Sequence, residues 1–177
     1  PEAVVLRAAQ FAREAKITGV IGLGGGSSLD VAKLISVLAC SDHDLNELLK
    51  SIYGIDLITG PRLPLIQVPT TAGTGSEVTP ISIVTTGEAQ KTGIVSKRLL
   101  PDYAILDAQL TVGLPAHVTA APGVDAMVHA IEASSSKNKK NPYSDMLAKQ
   151  ALQMLSRNIR RVVQDGSDLA ARQEMLL

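Results

Sequence analysis

Thr18-Gly19-Val20-Ile21-Gly22-Leu23-Gly24-Gly25-Gly26-Ser27-Ser28-Leu29-Asp30-Val31-Ala32-Lys33 sets the architecture. A short apolar run with β-branched members ends in three glycines, and a helical pattern follows at once. This predicts a buried parallel strand over residues 18–23, a tight turn, and a helix capped by Ser27 or Ser28. Its buried stripe is expected at Val31, Leu34, Ile35 and Leu38. Upstream, Val4, Ala8, Phe11 and Ala15 recur at helical spacing and predict an amphipathic helix over 2–16. Downstream, Pro64–Val68 reads as a second buried strand, with further strands at Ile81–Thr85, Lys91–Val95 and Tyr103–Leu106. A short helix fits Leu45–Ile52 within the polar 42–60 stretch. Strand and helix alternation predicts an α/β fold, a parallel sheet with some hairpin character.

The pattern changes near residues 111–116, after which only helical periods remain. His117–Ala133 reads as one helix. A second is capped by Asn141-Pro142, with Met146, Leu147, Gln150, Ala151, Met154, Leu155 and Ile159 as its core stripe, and it ends at Gly166-Ser167. A third starts at Asp168. The expected organisation is an α/β domain over 1–113 and an all-helical domain over 114–177. Ser134–Lys140 reads as a solvated loop.

The chain of 177 residues carries 17 basic and 17 acidic side chains, 45% hydrophobic and 19% charged residues. Such a balance is globular, without the basic footprint that nucleic acid or an anionic membrane needs. Aromatics make up 2%, namely Phe11, Tyr53, Tyr103 and Tyr143, so the core is aliphatic and base-stacking platforms are excluded. A single cysteine, Cys40, excludes a disulfide framework and suits a reducing cytoplasm. No apolar run is long enough to span a bilayer. The chain opens on Pro1 and stops within a helical pattern at Leu177, which reads as a piece of something longer.

Three segments carry chemistry. At Gly24–Asp30, glycines permit close backbone approach while free amides at a helix start favour a phosphate. The spacing fits neither the Rossmann nor the P-loop fingerprint, and a tight turn without ligand explains the triplet equally well. Pro69–Thr79 (PTTAGTGSEVT) again follows an apolar strand; its small hydroxyl residues and glycines suit a polar ligand better than a bare surface loop. Two such turns at strand ends point to one shared nucleotide crevice. In the third segment, Asp125 and His129 are four apart on one helix face, with Glu132 beyond. An imidazole and a carboxylate so placed make half of a divalent-metal site. On spacing alone, an ordinary helix pair is the simpler reading, and neither His43 nor His117 supplies a further ligand at suitable spacing.

Taken in order, GGGSSLDVAK (24–33), PTTAGTGSEVT (69–79), KTGI with LLPDYAILDAQLTVGLP (91–115) and TAAPGVDAMVHAIEA (119–133) resemble the iron-containing (group III) alcohol dehydrogenases. The resemblance covers essentially the whole chain and implies a Rossmann-like dinucleotide-binding domain followed by a helical metal-binding domain. Family members are longer, so earlier strands and most of the helical domain would lie outside these residues. By position, Gly25, Gly26, Ser27 and Asp30 resemble contacts of the pyrophosphate and nicotinamide side. Thr70, Thr71 and Thr79 match lining positions of the second loop, Lys91 a nucleotide-contacting lysine, and Leu110 and Leu114 the adenosine pocket. Asp125 and His129 resemble the first two metal ligands, the catalytic pair. Pro122 departs from the family's usual Thr, and Ser134 stands where an aromatic is common.

The activity this implies is metal-assisted hydride transfer between an alcohol (short-chain alcohol, diol or hydroxy acid) and NAD or NADP, with Fe(II) or Zn(II). The partner is a small-molecule alcohol or carbonyl substrate, with homo-oligomerisation open; the piece alone is expected to be inactive. Two alternatives stand beside it: a lyase resembling dehydroquinate synthases on the same fold, and a non-catalytic nucleotide-binding fragment.

Overall fold

A computed structural model describes the chain except residues 52–54, 88–89 and 139, so Ile52 and Tyr53 lie outside the described residues. The chain divides into two compact units, residues 1–69 with 76–105 and residues 70–75 with 106–177.

The first unit runs α1 (Glu2–Glu14), β1 (Val20–Gly24), α2 (Gly26–Leu38), α3 (Leu45–Leu48), β2 (Leu65–Pro69), β3 (Ile81–Thr86), β4 (Gln90–Val95) and β5 (Tyr103–Ala104). β1 and β5 flank β2 in a parallel sheet, Val20 opposite Leu65 and Ile66 opposite Tyr103. β3 and β4 form the antiparallel hairpin. The core joins Val5 and Ala9 of α1 to Leu34, Val37 and Leu38 of α2, with Leu45, Leu48, Ile58, Val84, Ile94 and Leu99.

Several details differ from the sequence reading. The packed face of α1 is Val5, Ala9 and Ala12, one position on from the expected stripe, and Phe11 is 71% exposed. Both faces carry small apolar residues, so α2, against which α1 packs, decides the register. Arg13 fixes the same contact by donating from Nε to the Leu38 carbonyl at 2.7 Å. β1 is not buried throughout. Only Gly22 is, while Ile21 and Leu23 are 69% and 59% exposed, because α2 covers one face of the sheet. Neither Ser27 nor Ser28 caps α2. Gly25 takes the cap position with extended backbone, and no side chain caps it. The helix also buries more than one stripe, since Leu29, Asp30, Ala32, Lys33, Leu34, Ser36, Val37 and Leu38 are all enclosed.

A guanidinium–carboxylate fork pins the start of β2. Arg62 Nη1 and Nη2 donate to the Asp102 oxygens at 2.8 and 2.7 Å, and the Leu65 amide donates to Asp102 Oδ2 at 2.8 Å. Arg62 first, then the amide, hold the Asp102 carboxyl below the usual carboxylate range. A folded pKa below the unfolded one stabilises above about pH 4 and loses that stability as pH falls through the depressed value. Asp102→Asn is therefore expected to lower the urea midpoint at pH 7, with the gap to the unsubstituted chain closing at pH 2–3. A constant gap would exclude ionisation as the cause.

The second unit holds α4 (Ala116–Ser135), α5 (Pro142–Gln164) and α6 (Leu169–Leu176). Asn141 caps α5 by accepting from the Ser144 amide, with Pro142 in the first turn, and Asp168 caps α6 by accepting from the Ala171 amide. The core is Leu155, Val162, Ala171 and Met175, with Ala72, Ala126, Met127 and Ile159 against it. On α5 the fully buried positions are Ala148, Leu155, Asn158 and Val162. Met146 and Leu147 of the expected stripe are exposed, since the seam toward α4 and α6 follows the 148–155–162 spacing. Ser134 and Ser135 close α4 rather than opening a loop.

Pro122 sits inside α4, which continues through it. A proline there offers no amide to the Val118 carbonyl. Replacing Pro122 by Ala restores that donor and is expected to stabilise the second unit by about 1–3 kcal/mol, read as a raised thermal midpoint. No change in midpoint would mean that the missing bond costs the helix nothing.

Candidate functional site

The two glycine-rich turns solve different backbone problems. At Gly24 the chain turns from β1 into α2 with φ at 146°, a value side chains rarely adopt, and a Cβ there would meet Ser28 Cβ and Oγ at 2.8 Å. Gly25, the cap, has φ −78° and ψ 176°, open to any residue. Leu29 N donates to Gly25 O at 3.1 Å as the first helical bond. The amides ahead of it at the uncapped helix start are those a phosphate would use. Gly25 and Gly26 are half-buried and Ser27 is exposed.

Thr70 and Thr71 fall in the short loop that belongs to the second unit, both half-buried. There Gly73 packs so tightly on α4 that a Cβ would run into the Pro122 carbonyl. Leu110, exposed, lies in a 3-10 turn spanning Ala108–Thr111. Leu114 lines an enclosed cavity of about 10 Å³ with Ala72, Thr111, Thr119 and Arg172. Thr119 Oγ1 and Arg172 Nη2 have no hydrogen-bond partner among the described residues. Lys91 is exposed on β4.

Asp30 and Thr79 are engaged within the first unit. Asp30 Oδ2 accepts from the Ile83 amide at 2.9 Å, and Oδ1 from the Ser76 hydroxyl and from Lys33 Nζ at 3.4 Å. Lys33 is the residue the sequence reading missed. Its side chain is fully buried (0% exposed), and Nζ also donates to Ile81 O at 2.6 Å, Ser76 Oγ at 3.1 Å and Thr79 Oγ1 at 3.2 Å. Burial pushes the Lys33 pKa down, while the Asp30 and Glu77 charges pull it up. Burial in turn raises Glu77, which Lys33 partly offsets. One signal was available: Lys33 is the only charge in the apolar run Val31–Leu38.

On α4, Asp125 Oδ2 and His129 Nε2 lie 3.4 Å apart, and His129 Nδ1 lies 3.9 Å from Glu132 Oε2. Asp125 and His129 are about half exposed, which leaves their donor atoms accessible. Among the described residues, no group of three or more His, Cys, Asp or Glu could hold a metal ion. The pair therefore supplies an oxygen and a nitrogen donor on one helix face and no more.

Comparison with known proteins follows the same division of the chain. The family described as "Iron-containing alcohol dehydrogenase" matches residues 1–108, and "Fe-containing alcohol dehydrogenase family, C-terminal" matches residues 119–177. The chain is 47% identical over 169 residues to long-chain-alcohol dehydrogenase 1 of Geobacillus thermodenitrificans, covering 96% of this chain and 42% of that protein. It is 43% identical to 1,3-propanediol dehydrogenase of Klebsiella pneumoniae, covering 88% of this chain and 39% of that one. Among solved structures, a 1,3-propanediol oxidoreductase superposes with a TM-score of 0.90 at 39% identity, over 97% of this chain and 44% of that one. Sulfoacetaldehyde reductase from Bifidobacterium kashiwanohense in complex with NAD+ gives 0.89 at 33% identity, over 97% and 45%. The chain thus spans less than half the length of these relatives.

The turn geometry yields a paired test. Gly25→Val places a branched side chain beside the helix-start amides at a φ it tolerates, so NAD(P) affinity is expected to fall roughly tenfold or more with the fold intact. Gly24→Val is expected to lower the thermal midpoint instead, because its φ excludes a β-branched residue. Calorimetric titration with unchanged affinity for Gly25→Val would remove this turn from the binding site.

Proposed function

The chain belongs to the iron-containing alcohol dehydrogenase family, and from that premise we propose that the protein carrying it transfers a hydride between an alcohol and NAD or NADP. The observation that carries the proposal is the match of both family segments, in order, to a chain that also presents the Asp125–His129 pair. The substrate class is a short-chain alcohol, diol or hydroxy acid, or the matching carbonyl compound. The 1,3-propanediol dehydrogenase among the relatives supports a diol, and the long-chain-alcohol dehydrogenase an alcohol substrate. They also favour hydride transfer over the lyase alternative. A cytoplasmic location goes with this reading; among the described residues no helix is long and apolar enough to cross a membrane.

The roles of the chain's residues are those the family resemblance implies, and their chemistry suits them. The uncapped start of α2 at Gly25, Gly26 and Ser27 offers backbone amides and the positive helix end to the pyrophosphate. Thr70, Thr71 and Lys91 add hydroxyl donors and a cation for the remaining nucleotide oxygens, with Leu110 and Leu114 as apolar lining. Asp125 and His129 offer one carboxylate and one imidazole, a donor set that suits Fe(II) or Zn(II). When bound, such an ion supplies Lewis acidity that lowers the pKa of a coordinated alcohol. His129 would bind such an ion through a neutral ring nitrogen, with Asp125 Oδ2, 3.4 Å from Nε2, as the neighbouring donor.

Alcohol-dependent NAD(P) reduction by the protein carrying this chain, with and without chelator, tests the proposal directly. His129→Ala is expected to lose bound metal and turnover together, beyond the roughly 10–100-fold lost when outer-shell partners are removed. Nucleotide affinity should change little. Retention of a full metal equivalent with normal turnover would return Asp125–His129 to the status of an ordinary helix pair. Absence of nicotinamide reduction across alcohols, diols and hydroxy acids in the metal-replete protein would overturn the activity.

A further inference from the structure

We propose that Lys33 is a positioning residue of the nucleotide site, a buried clamp that fixes residues 76–81 to α2 without touching the ligand. The proposal rests on the dinucleotide reading above. Lysines are almost never fully buried unless paired, and taking an ammonium out of water is costly until its partners compensate. An apolar residue of similar length would fill this position at lower cost. What it could not do is hold three separate points of one loop.

Lys33 Nζ reaches Ser76 Oγ, Thr79 Oγ1 and Ile81 O, which lie 43, 46 and 48 residues away in sequence. Its carboxylate partner, Asp30, stands one turn earlier on the same helix and grips the same stretch through the Ser76 hydroxyl and the Ile83 amide. Ser82 Oγ adds a bond to the Asp30 carbonyl at 2.9 Å. Thus every hydrogen-bonding group of Asp30 and Lys33 that faces this stretch is spent on residues 76–83. The same helix begins at the Gly25 turn, and the clamped stretch contains Thr79, the lining position of the second loop. Both oxygens of the Asp30 carboxylate are already engaged, so Asp30 acts on the nucleotide through placement as well. The clamp sets where the α2 amides and Thr79 stand before the nucleotide arrives, a contribution to preorganisation.

The test compares the unsubstituted protein carrying this chain with Lys33→Met and with the double variant Asp30→Asn/Lys33→Met, which removes the bonded ion pair. Three readouts are taken: the thermal midpoint, amide hydrogen exchange over residues 76–83, and NAD(P) titration with KM and kcat. Lys33→Met is expected to speed exchange in residues 76–83 relative to β1 and β2. It should weaken NAD(P) about tenfold, with kcat at saturating nucleotide within about twofold. The double variant should recover part of the thermal stability, since the carboxylate bonded to Lys33 is gone and only Glu77 loses a counter-charge, without recovering nucleotide affinity. A merely structural lysine would show affinity and midpoint recovering together. That result overturns the clamp, as does wild-type affinity in either folded variant or unfolding of both. If the unsubstituted protein binds neither NAD nor NADP, the dinucleotide reading fails by itself, and the exchange comparison still reports whether Lys33 holds residues 76–83.

Discussion

The first unit is organised around an ammonium group with no access to water. Lys33 satisfies its three protons among four acceptors: Asp30 Oδ1 one turn back, Ser76 Oγ in the 3-10 turn Ser76–Val78, Thr79 Oγ1 and the Ile81 carbonyl of β3. Such a group tolerates no slack, because an unpaired charge in this position costs far more than a lost apolar contact. Helix α2 therefore cannot slide or rotate against the hairpin, and the apolar residues around it (Leu34, Val37 and Leu38) pack in a register that the polar contacts define. The glycine turn inherits its position from that helix.

The strand, the turn and the helix after it were legible because glycine spacing and β-branched runs encode backbone demands, which are local. Which face of a helix is buried was less legible. α1 offers two small-residue faces and α5 two apolar seams, so the partner helix chooses between them, α2 for α1 and α4 for α5, and spacing along one helix does not encode that choice. The Ser27/Ser28 cap failed for a related reason: Gly24 turns the chain so that Gly25 is the last extended residue, and both serines fall inside the helix. The exposed faces of Ile21 and Leu23 follow from a sheet covered by α2 on one side only. Lys33 escaped notice because lysine is read as a surface residue by default. The isolation of its charge within Val31–Leu38 was the available clue.

The candidate site divides along the same line. A phosphate is held by backbone amides and a helix end, so a nucleotide turn leaves its mark in glycines, and the mark survives in a single sequence. A metal is held by side chains that must converge from several elements, and spacing reports only those on one helix. Asp125 and His129 were therefore visible as a pair, and the structure adds their 3.4 Å approach and shared exposure.

The two kinds of recognition also place different demands on the protein around them. Backbone donors stay aimed only while their helix is immobile, and the Lys33–Asp30 pair sits one to two turns behind the Gly25 cap. Side-chain donors reach an ion through their own rotamers, and Asp125 and His129 stand half-exposed on one face of α4. In the second unit the tight contact is elsewhere, where Gly73 meets the Pro122 carbonyl three residues before Asp125. Only a residue without Cβ allows the loop to approach α4 so closely. The unit thus anchors the loop carrying Thr70 and Thr71 to the helix of the candidate metal pair.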